Sequence, residues 1–370
     1  MANRVASWDT HVFSISDLKE RGSAKLPPTY RDFYNDGAMD MVTLRDNEHA
    51  FDRYKLRPRV LRNVSNIDTS MTIWGKKCTF PVGFSPSAMQ CLAHPDGELA
   101  TSRAAASIGV PMCLSSYSTT SLEDVKAQSD GNPYMIQMCV VKDRSITLQL
   151  LQRAEKAGYQ ALFMSVDVPV LGIRLNEMRN KFALPKEYGF PNITSTGKDE
   201  FTTGGGPTAF DDTLEWDEII EWVRKDTKME IWLKGVTSPE DVEKAITYGV
   251  DGVIISNHGG RQLDGMPATL DALRQCAPIA RGRIQIAMDG GVRRGSDVFK
   301  AIALGAQMVF LGRIAIWGLA YNGQQGAELA LKILLSEFRV TMALAGCRTI
   351  SEITPNHLSV LETNGVLSKL

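Results

Sequence analysis

The strongest constraint on the fold is a regular alternation that begins at Phe80. Short apolar runs bounded by glycine, proline, serine or aspartate alternate with longer amphipathic stretches, which is the pattern of βα units. The apolar runs predict eight strands: Pro81–Ser85, Pro111–Leu114, Tyr134–Val140, Ala161–Val166, Glu230–Lys234, Gly252–Ser256, Arg283–Met288 and Gln307–Leu311. The amphipathic stretches predict eight helices: Gly97–Ile108, Ser121–Gln128, Ser145–Ala157, Trp216–Arg224, Pro239–Tyr248, Ala268–Ile279, Ser296–Leu304 and Gly326–Leu344.

Several of these helices carry capping signals at their start. Ser121 and Ser238 are each followed three residues later by an aspartate, and Ser296 directly precedes Asp297. A serine hydroxyl can accept a hydrogen bond from a free amide of the first helical turn. These signals support the predicted helix starts.

Eight parallel strands joined by helical crossovers can close into a (β/α)8 TIM barrel. A length of 370 residues suits one such barrel with extensions. The alternative is a doubly wound open sheet, which normally carries a glycine-rich phosphate loop after its first strand. Here the first strand is followed by Ser85-Pro86-Ser87-Ala88. The predicted fold class is therefore α/β, with a single TIM barrel.

The whole chain, residues 1–370, is predicted to form one domain. Residues 1–79 would be an N-terminal helical extension with helix-like segments at Ser16–Arg21 and Pro28–Asp36, residues 80–347 the barrel, and residues 348–370 a C-terminal tail. The connection after the fourth strand, Pro169–Asp212, is unusually long and includes Pro207 and the run Gly204-Gly205-Gly206. Connections of this length are usually lids or disordered segments. We interpret it as a mobile flap over the site, with a disordered insertion as the alternative.

Composition argues against several partners. The 41 basic and 42 acidic residues give a net charge of −1 without a basic stripe, so nucleic acid is not an expected partner. No apolar run approaches the roughly 18–20 residues that span a bilayer, and Met1–Thr10 lacks the apolar stretch of a secretory signal. The six cysteines lack CxxC spacing and the five histidines are dispersed, so we expect reduced, mostly buried thiols and no metal site.

The last three residues, Ser368, Lys369 and Leu370, match a peroxisomal address. Peroxisomes house oxidases that release hydrogen peroxide. The tripeptide therefore predicts a location and also favours an oxidase.

Polar side chains lie at or near the carboxyl ends of the predicted apolar runs, where the functional residues of a (β/α)8 barrel collect. They are Ser115, Gln137, Asp167, Lys234, His258, Arg261, Asp289, Arg293 and Arg313. The strongest local signal is the run Ser256-Asn257-His258-Gly259-Gly260-Arg261-Gln262 after an apolar strand. Its two glycines permit a sharp turn close to a ligand and set an imidazole three residues from a guanidinium. A lone histidine is more often structural, but in this setting we predict that His258 is catalytic.

The run SNHGGRQ resembles the signature of the FMN-dependent 2-hydroxy-acid oxidase family, which includes glycolate oxidase, lactate oxidase and mandelate dehydrogenase. The resemblance extends from about Lys25 to Gly346 in the family's motif order and is closest to the glycolate-oxidase branch. It implies an enzyme that uses FMN to oxidise an L-2-hydroxy acid to a 2-oxo acid. It also implies that O2 reoxidises the flavin and releases H2O2, and that the chain forms a homo-oligomer, commonly a tetramer.

The resemblance implies a set of FMN contacts. The positions that correspond to contacts with the flavin ring and ribityl chain are Pro86, Ser87, Ala88, Ser115, Gln137, Ser165 and Ser256. Lys234 corresponds to a lysine beside flavin N1 and the C2 carbonyl, where an ammonium stabilises negative charge on the reduced flavin. The phosphate-side segments are Asp289-Gly290-Gly291-Val292-Arg293 and Gly312-Arg313. Glycines admit backbone amides to a phosphate and arginine pairs with its oxygens, although either arginine alone could be a solvated surface residue.

The resemblance also implies the catalytic roles. His258 corresponds to the base, and Asp167 to the carboxylate that orients the imidazole and is expected to raise its pKa. Arg174 and Arg261 correspond to the arginines that bind the substrate carboxylate. Whether the proton leaves carbon first, or leaves oxygen with hydride transfer from carbon, stays open.

Three substrate-facing positions depart from the family. Phe33 stands where a tyrosine normally faces the substrate carboxylate, and Cys139 where a tyrosine normally faces the reacting oxygen. Tyr117 replaces the tryptophan of glycolate oxidases. Each lost hydrogen bond to a charged group costs about 1.5–3 kcal/mol, so activity on glycolate could fall about 10²–10⁴-fold. We favour a larger or less polar hydroxylated substrate; neutral drift, altered flavin chemistry and lost turnover are the alternatives.

Three rival functions remain open on the sequence alone. A dehydrogenase would pass electrons to a protein or quinone, a flavin-binding scaffold or sensor would not turn over, and a phosphate-binding barrel would hold no flavin. Peroxide release, flavin bleaching by substrate and the colour of the protein distinguish them.

Overall fold

The segment before the barrel is helical, as predicted, and ends in short strands. The computed structural model describes residues 7–193, 208–362 and 365–369. The helices are α1 (Ile15–Lys25), α2 (Pro28–Asn35) and α3 (Val42–Arg53), followed by strands β1 (Tyr54–Leu56), β2 (Met71–Ile73) and β3 (Lys76–Cys78). Ser14 caps α1 by accepting a hydrogen bond from the amide of Asp17, and Pro28 occupies the first turn of α2, where a missing amide costs nothing.

Eight parallel strands close into a barrel, which confirms the predicted fold class. They are β4 (Val82–Phe84), β5 (Met112–Ser115), β6 (Tyr134–Met138), β7 (Ala161–Ser165), β8 (Glu230–Val236), β9 (Gly252–Ile255), β10 (Gln285–Asp289) and β11 (Met308–Leu311). Each strand pairs with its neighbours in the chain, and β11 returns to β4 with Leu311 opposite Phe84. All eight carboxyl ends therefore surround one mouth.

The predicted helices surround the barrel together with a short helix at Leu175–Arg179 that was not predicted, and two of the predicted starts are wrong. The helices are α4 (Gly97–Ile108), α5 (Leu122–Ala127), α6 (Arg144–Ala157), α7 (Leu175–Arg179), α8 (Trp216–Asp226), α9 (Pro239–Thr247), α10 (Thr269–Ala280), α11 (Gly295–Leu304) and α12 (Arg313–Ala345). The predicted cap at Ser296 is wrong, because α11 starts one residue earlier and Asp297 accepts from the amide of Arg294. The last helix starts at Arg313 instead of Gly326 and has non-helical backbone angles at Asn322 and Gly323.

The barrel interior is apolar and is closed at its amino end. Inward-facing side chains include Cys113, Met135, Phe163, Trp232, Ile254, Met308 and Phe310, all buried. The hairpin β2–β3 covers the amino end, where the Trp74 ring lies 5.4 Å from the Trp232 ring and its Nε1 donates to Glu230 at 3.0 Å. The open, polar end is therefore the carboxyl end.

The connection between β7 and α8 is partly described. It contains α7, and its residues up to 193 pack onto the barrel mouth through Phe182, Phe190 and Ile193. Pro207 and the run Gly204-Gly205-Gly206 lie outside the described residues. The described part lies where a flap was predicted, and its mobility stays a prediction.

The tail forms two strands, β12 (Leu358–Leu361) and β13 (Leu367–Lys369), in a small antiparallel sheet with β1. Leu370 lies outside the described residues. Among the described helices, none is long and apolar enough to cross a membrane. The division at residues 79 and 347 stays a prediction.

Candidate active site

A chain of hydrogen bonds joins three adjacent strands at the barrel mouth. Ser115 ends β5, Gln137 lies near the end of β6, and Ser165 ends β7. Ser115 Oγ donates to Gln137 Oε1 at 3.2 Å, and Gln137 Nε2 donates to Ser165 Oγ at 3.0 Å. All three side chains are buried, so the mouth of the barrel offers polar groups within an apolar wall.

A buried ion pair and two serines extend this set of polar groups around the rest of the mouth. We call the whole set, Ser85, Ser115, Gln137, Ser165, Lys234, Ser256 and Asp289, the polar layer. Lys234 Nζ lies 3.3 Å from Asp289 Oδ2 and donates to Ser256 Oγ at 3.1 Å, and Ser85 Oγ donates to Asp289 Oδ2 at 2.9 Å. Burial lowers the pKa of Lys234, but the carboxylates of Asp289 and Asp167 outweigh it and raise the pKa above 10.5. The layer therefore contains a fixed ammonium group.

His258 and Asp167 form the pair that the sequence predicted. His258 Nδ1 lies 3.3 Å from both carboxylate oxygens of Asp167. The backbone of His258 has φ +56°, an uncommon left-handed conformation. Gly235 (φ +111°) makes room for the partner, because a Cβ there would come within 2.6 Å of the Asp167 side chain. The carboxylate favours the tautomer with hydrogen on Nδ1, which leaves Nε2 free to accept a proton.

Asp167 raises the pKa of His258, as expected, but burial lowers it more. Lys234 lowers it further, so the net shift of the His258 pKa is downward from 6.5. Burial raises the pKa of Asp167, but His258 and Lys234 outweigh burial and bring it below 3.8. At neutral pH the pair is therefore a neutral imidazole beside a carboxylate, the protonation state that a general base needs.

The two predicted substrate arginines lie together and already have partners. Glu177 Oε1 lies 3.2 Å from Arg261 Nη2 and 3.3 Å from Arg174 Nη1. Arg261 Nη1 also donates to the backbone carbonyls of Phe33 and Asp36. Arg174 Nε donates to the carbonyl of Arg261 at 3.1 Å. The grouping is as predicted, and Glu177 is an addition that the sequence analysis missed.

The predicted phosphate-side residues follow β10 and β11. Arg293 Nη2 lies 2.7 Å from Glu48 Oε1, and its Nη1 donates to the carbonyl of Val292. Arg313 donates to the carbonyls of Tyr34, Gly259 and Asp36 at 2.8–2.9 Å. Neither is a solvated surface residue, and burial lowers the pKa of Arg313 to about 10, so it is charged at neutral pH.

Glycines in the loops near these arginines adopt unusual backbone angles and leave space where side chains would otherwise lie. Gly290 and Gly291 adopt φ +98° and +77°, which residues with side chains rarely adopt. The nearest atom to a Cβ added at Gly312 would be Ser87 Oγ, at 3.9 Å. Open space therefore separates the loop Pro86-Ser87-Ala88 after β4 from the loop after β11.

The chain matches the FMN-dependent dehydrogenase family over residues 22–360. It belongs to this family. FMN is accordingly its cofactor, and the chain is a flavin-dependent oxidoreductase.

Relatives and solved structures match the chain over nearly its whole length. The chain is 57% identical to "Oxidase FUB9" of Fusarium oxysporum f. sp. lycopersici, covering 97% of this chain and 94% of the relative. It is 44% identical to "Peroxisomal (S)-2-hydroxyacid oxidase GLO4" of Arabidopsis thaliana, covering 94% and 96%. The structure of mandelate oxidase with (S)-4-hydroxymandelic acid superposes with a TM-score of 0.87 at 35% identity, covering 97% and 100%.

The residues of this FMN-dependent dehydrogenase fit its cofactor. Within the described part of the chain, Asp289 Oδ1, Arg293 Nε and Ser116 Oγ are buried without a hydrogen-bond partner. Buried polar atoms in native proteins normally have partners. These atoms lie beside the polar layer and the glycine loops, which is where a phosphorylated, hydrogen-bonding ring system would supply the partners. The groups that hold FMN are proposed to be this layer, Lys234 and the phosphate-side loops.

The three positions that depart from the family lie in one apolar cluster at the mouth. The Phe33 ring stacks on Phe182 at 4.3 Å, and the Tyr117 ring meets Phe190 edge-on at 5.5 Å. Cys139 packs against the same cluster, and burial raises the pKa of its thiol to about 12, so it is neutral. The hydroxyl of neighbouring Tyr34 donates to the Met89 carbonyl at 2.7 Å and does not replace the tyrosine hydroxyl missing at Phe33.

A cavity of about 240 Å³ borders this region behind Cys139. It lies between the outer face of β7 and β8 and helix α8, with Met164, Leu233 and Ile219 among its lining residues. It adjoins the polar layer through Cys139 and Ser165 and lies to the side of the mouth.

The cysteines are free thiols, and four of the six are buried, as expected. In residues 7–193, 208–362 and 365–369, no cluster of three or more histidine, cysteine or acidic side chains is placed to hold a metal ion.

Sequence reasoning missed three residues that position the site. Gln262 closes the SNHGGRQ run: its Nε2 donates to the Asp167 and Val170 carbonyls at 3.0 and 2.9 Å, and its Oε1 accepts from Gly172. Gly235 gives Asp167 its space. Glu177 follows Arg174 by three residues, and that spacing was the available signal for an ion pair on a helix.

Proposed function

We propose that this enzyme oxidises an (S)-2-hydroxy acid to the 2-oxo acid and that O2 then takes the electrons, giving H2O2. The observation that carries this proposal is the pairing of neutral His258 with Asp167 beside two partly buried arginines at the open end of the barrel. That arrangement combines a base with an anion-binding site, which a substrate that is both an alcohol and a carboxylate requires.

His258 is proposed to accept the substrate's proton, and Asp167 to stabilise the imidazolium that His258 then becomes. Nδ1 faces the carboxylate at 3.3 Å, so Nε2 is the atom that takes the proton from the hydroxy-acid centre. The imidazolium that forms then lies against a charged carboxylate in a partly buried site, where ion pairing is stronger than in water. FMN, when bound, supplies the two-electron acceptor.

Arg174 and Arg261 are proposed to hold the substrate carboxylate. Their side chains are only 10% and 15% exposed. Guanidinium groups that are largely out of water make strong, directional bonds to carboxylates. Hydrogen bonds from both arginines to the carboxylate fix the position of the hydroxyl-bearing carbon relative to His258.

The substrate is proposed to carry a larger or less polar side chain than glycolate. Phe33, Tyr117 and Cys139 present an apolar wall together with Phe182 and Phe190. Such a wall favours an aliphatic or aromatic group through burial of apolar surface. The solved mandelate oxidase structures contain aromatic 2-hydroxy acids and related acids, according to their names.

Anaerobic mixing with a panel of short, long-chain and aromatic 2-hydroxy acids tests the proposal. We expect a long-chain or aromatic acid to bleach the flavin absorbance, and admission of O2 to restore it with one H2O2 per flavin. Bleaching without peroxide would indicate a dehydrogenase with another acceptor. A yellow protein that no acid bleaches would contradict the proposed reaction and favour a flavin-binding scaffold or sensor.

We also propose a peroxisomal location and a homo-oligomer. The GLO4 relative is peroxisomal by name, and Ser368-Lys369-Leu370 matches a peroxisomal address. A fluorescent protein fused to the amino terminus should accumulate in peroxisomes, and Lys369→Glu should disperse it. Unchanged import of that variant would contradict the proposed signal. Light scattering on the purified enzyme tests the tetramer that the family resemblance implies.

A further inference from the structure

The two substrate arginines share one internal carboxylate oxygen. Glu177 Oε1 lies 3.3 Å from Arg174 Nη1 and 3.2 Å from Arg261 Nη2. A carboxylate held by two guanidinium groups is the arrangement proposed above for the substrate. The Glu177 carboxylate therefore pairs with the same two arginines that the proposed function assigns to the substrate's carboxylate.

Burial explains why the two arginines need a nearby anion. The side chains of Arg174, Arg261 and Glu177 are 10%, 15% and 17% exposed. Burial and then the charge of Arg174 lower the pKa of Arg261, whereas Glu177 raises it. Two neighbouring guanidinium groups largely out of water are costly unless an anion balances them. Glu177 supplies that anion.

The helix that carries Glu177 is held to α2 and the residue after it by hydrogen bonds and ring stacking that do not involve Glu177. Asn176 Nδ2 donates to Asp36 Oδ2 at 2.6 Å, and Asn180 Nδ2 donates to Asp32 Oδ2 at 2.7 Å. The stacked rings of Phe33 and Phe182 join the same two segments. Helix α7 therefore stays attached when the ion pairs of Glu177 break, so the side chain can leave the arginines without unfolding its helix.

We propose that Glu177 is an internal competitor of the substrate's carboxylate, which must displace it from Arg174 and Arg261 to bind. Glu177 thereby sets the affinity of the enzyme for anionic substrates. When an internal group occupies the binding site in some of the molecules, the apparent affinity for the substrate is the intrinsic affinity multiplied by the fraction of molecules in which the site is free.

Titration of the FMN-loaded enzyme with oxalate tests the proposal. Oxalate carries carboxylates but has no C–H bond to oxidise, so calorimetry measures its binding without turnover. In Glu177→Gln the dissociation constant should fall about tenfold to a hundredfold, as expected for the loss of charge-assisted competition. KM for the best 2-hydroxy acid should fall with it, and kcat should change little.

Two further variants complete the experiment. Glu177→Asp keeps the charge on a shorter side chain, so its affinity for oxalate should lie between those of wild type and Glu177→Gln, and it gives the answer if Glu177→Gln does not fold. Glu187→Gln removes an exposed charge from the same connection and should leave oxalate binding unchanged. Unchanged or weaker oxalate binding in Glu177→Gln and Glu177→Asp would overturn the proposal.

The outcomes separate this inference from the proposed function. If wild type oxidises 2-hydroxy acids but removal of the Glu177 charge does not tighten oxalate binding, only the competitor role fails. If no 2-hydroxy acid bleaches the flavin but Glu177→Gln binds oxalate more tightly, the reaction fails while the internal competition stands.

Discussion

Replacing His258 with asparagine should lower kcat for the best 2-hydroxy acid by about 10²–10⁴-fold, the usual contribution of a general base. Asparagine is the informative replacement because His258 has φ +56°, a conformation that asparagine tolerates better than most residues with a side chain. The variant thus removes the imidazole with little backbone strain. Stopped-flow measurement of flavin bleaching gives the reductive rate directly.

Retained flavin and fold are the necessary controls. The His258→Asn variant should bind FMN and melt close to wild type, since the imidazole is not among the proposed flavin contacts. His49→Asn changes an exposed histidine on α3 in the same way and should leave kcat unchanged. If His258→Asn reduces its flavin as fast as wild type, another group is the base.

The pH profile of wild type gives an independent check on the same residue. His258 must be neutral to accept a proton, and its pKa is lowered from 6.5. The base is therefore already neutral above that value, and kcat/KM should be flat there and fall as the pH drops through the lowered pKa. An acid limb centred above pH 6.5 would contradict the burial argument.

The barrel could be predicted because its pattern is local and repeated. Helix Gly97–Ile108 begins and ends where it was predicted, because Gly109 adopts φ +73° and stops it. The amino-terminal half of α12 was not predicted, because it lacks the local pattern of a surface helix. Ile314, Ala315, Ile316 and Trp317 are all buried, so this stretch lacks the polar face that marks an amphipathic helix.

The sequence could identify most residues of the site, but not the pKa shift of His258 or the ion pairs of Glu177. The strand ends and the SNHGGRQ run indicated His258, Arg261 and Lys234, and the structure brings them to one mouth. The direction of the pKa shift at His258 depends on how much burial offsets the Asp167 charge, which spacing does not encode. Glu177 was missed, because only the folded chain places its carboxylate between Arg174 and Arg261.

Restoring both missing tyrosines, as Phe33→Tyr with Cys139→Tyr, should raise kcat/KM for glycolate by about 10²–10⁴-fold. Each hydroxyl is expected to return a hydrogen bond to a charged group, about 1.5–3 kcal/mol, and tenfold in rate corresponds to about 1.4 kcal/mol. The same change should lower kcat/KM for long-chain or aromatic acids, because a tyrosine at position 139 fills space that the thiol leaves open. Steady-state peroxide assays on both substrate classes measure the two effects.

Cys139→Phe is the matched control, since it adds the ring without the hydroxyl. If the hydroxyl matters, Cys139→Tyr should exceed Cys139→Phe on glycolate, whereas both should lose activity on large acids to a similar degree. Wild type that already turns over glycolate as efficiently as large acids would show that Phe33 and Cys139 are neutral changes, and the apolar wall would then have no bearing on specificity.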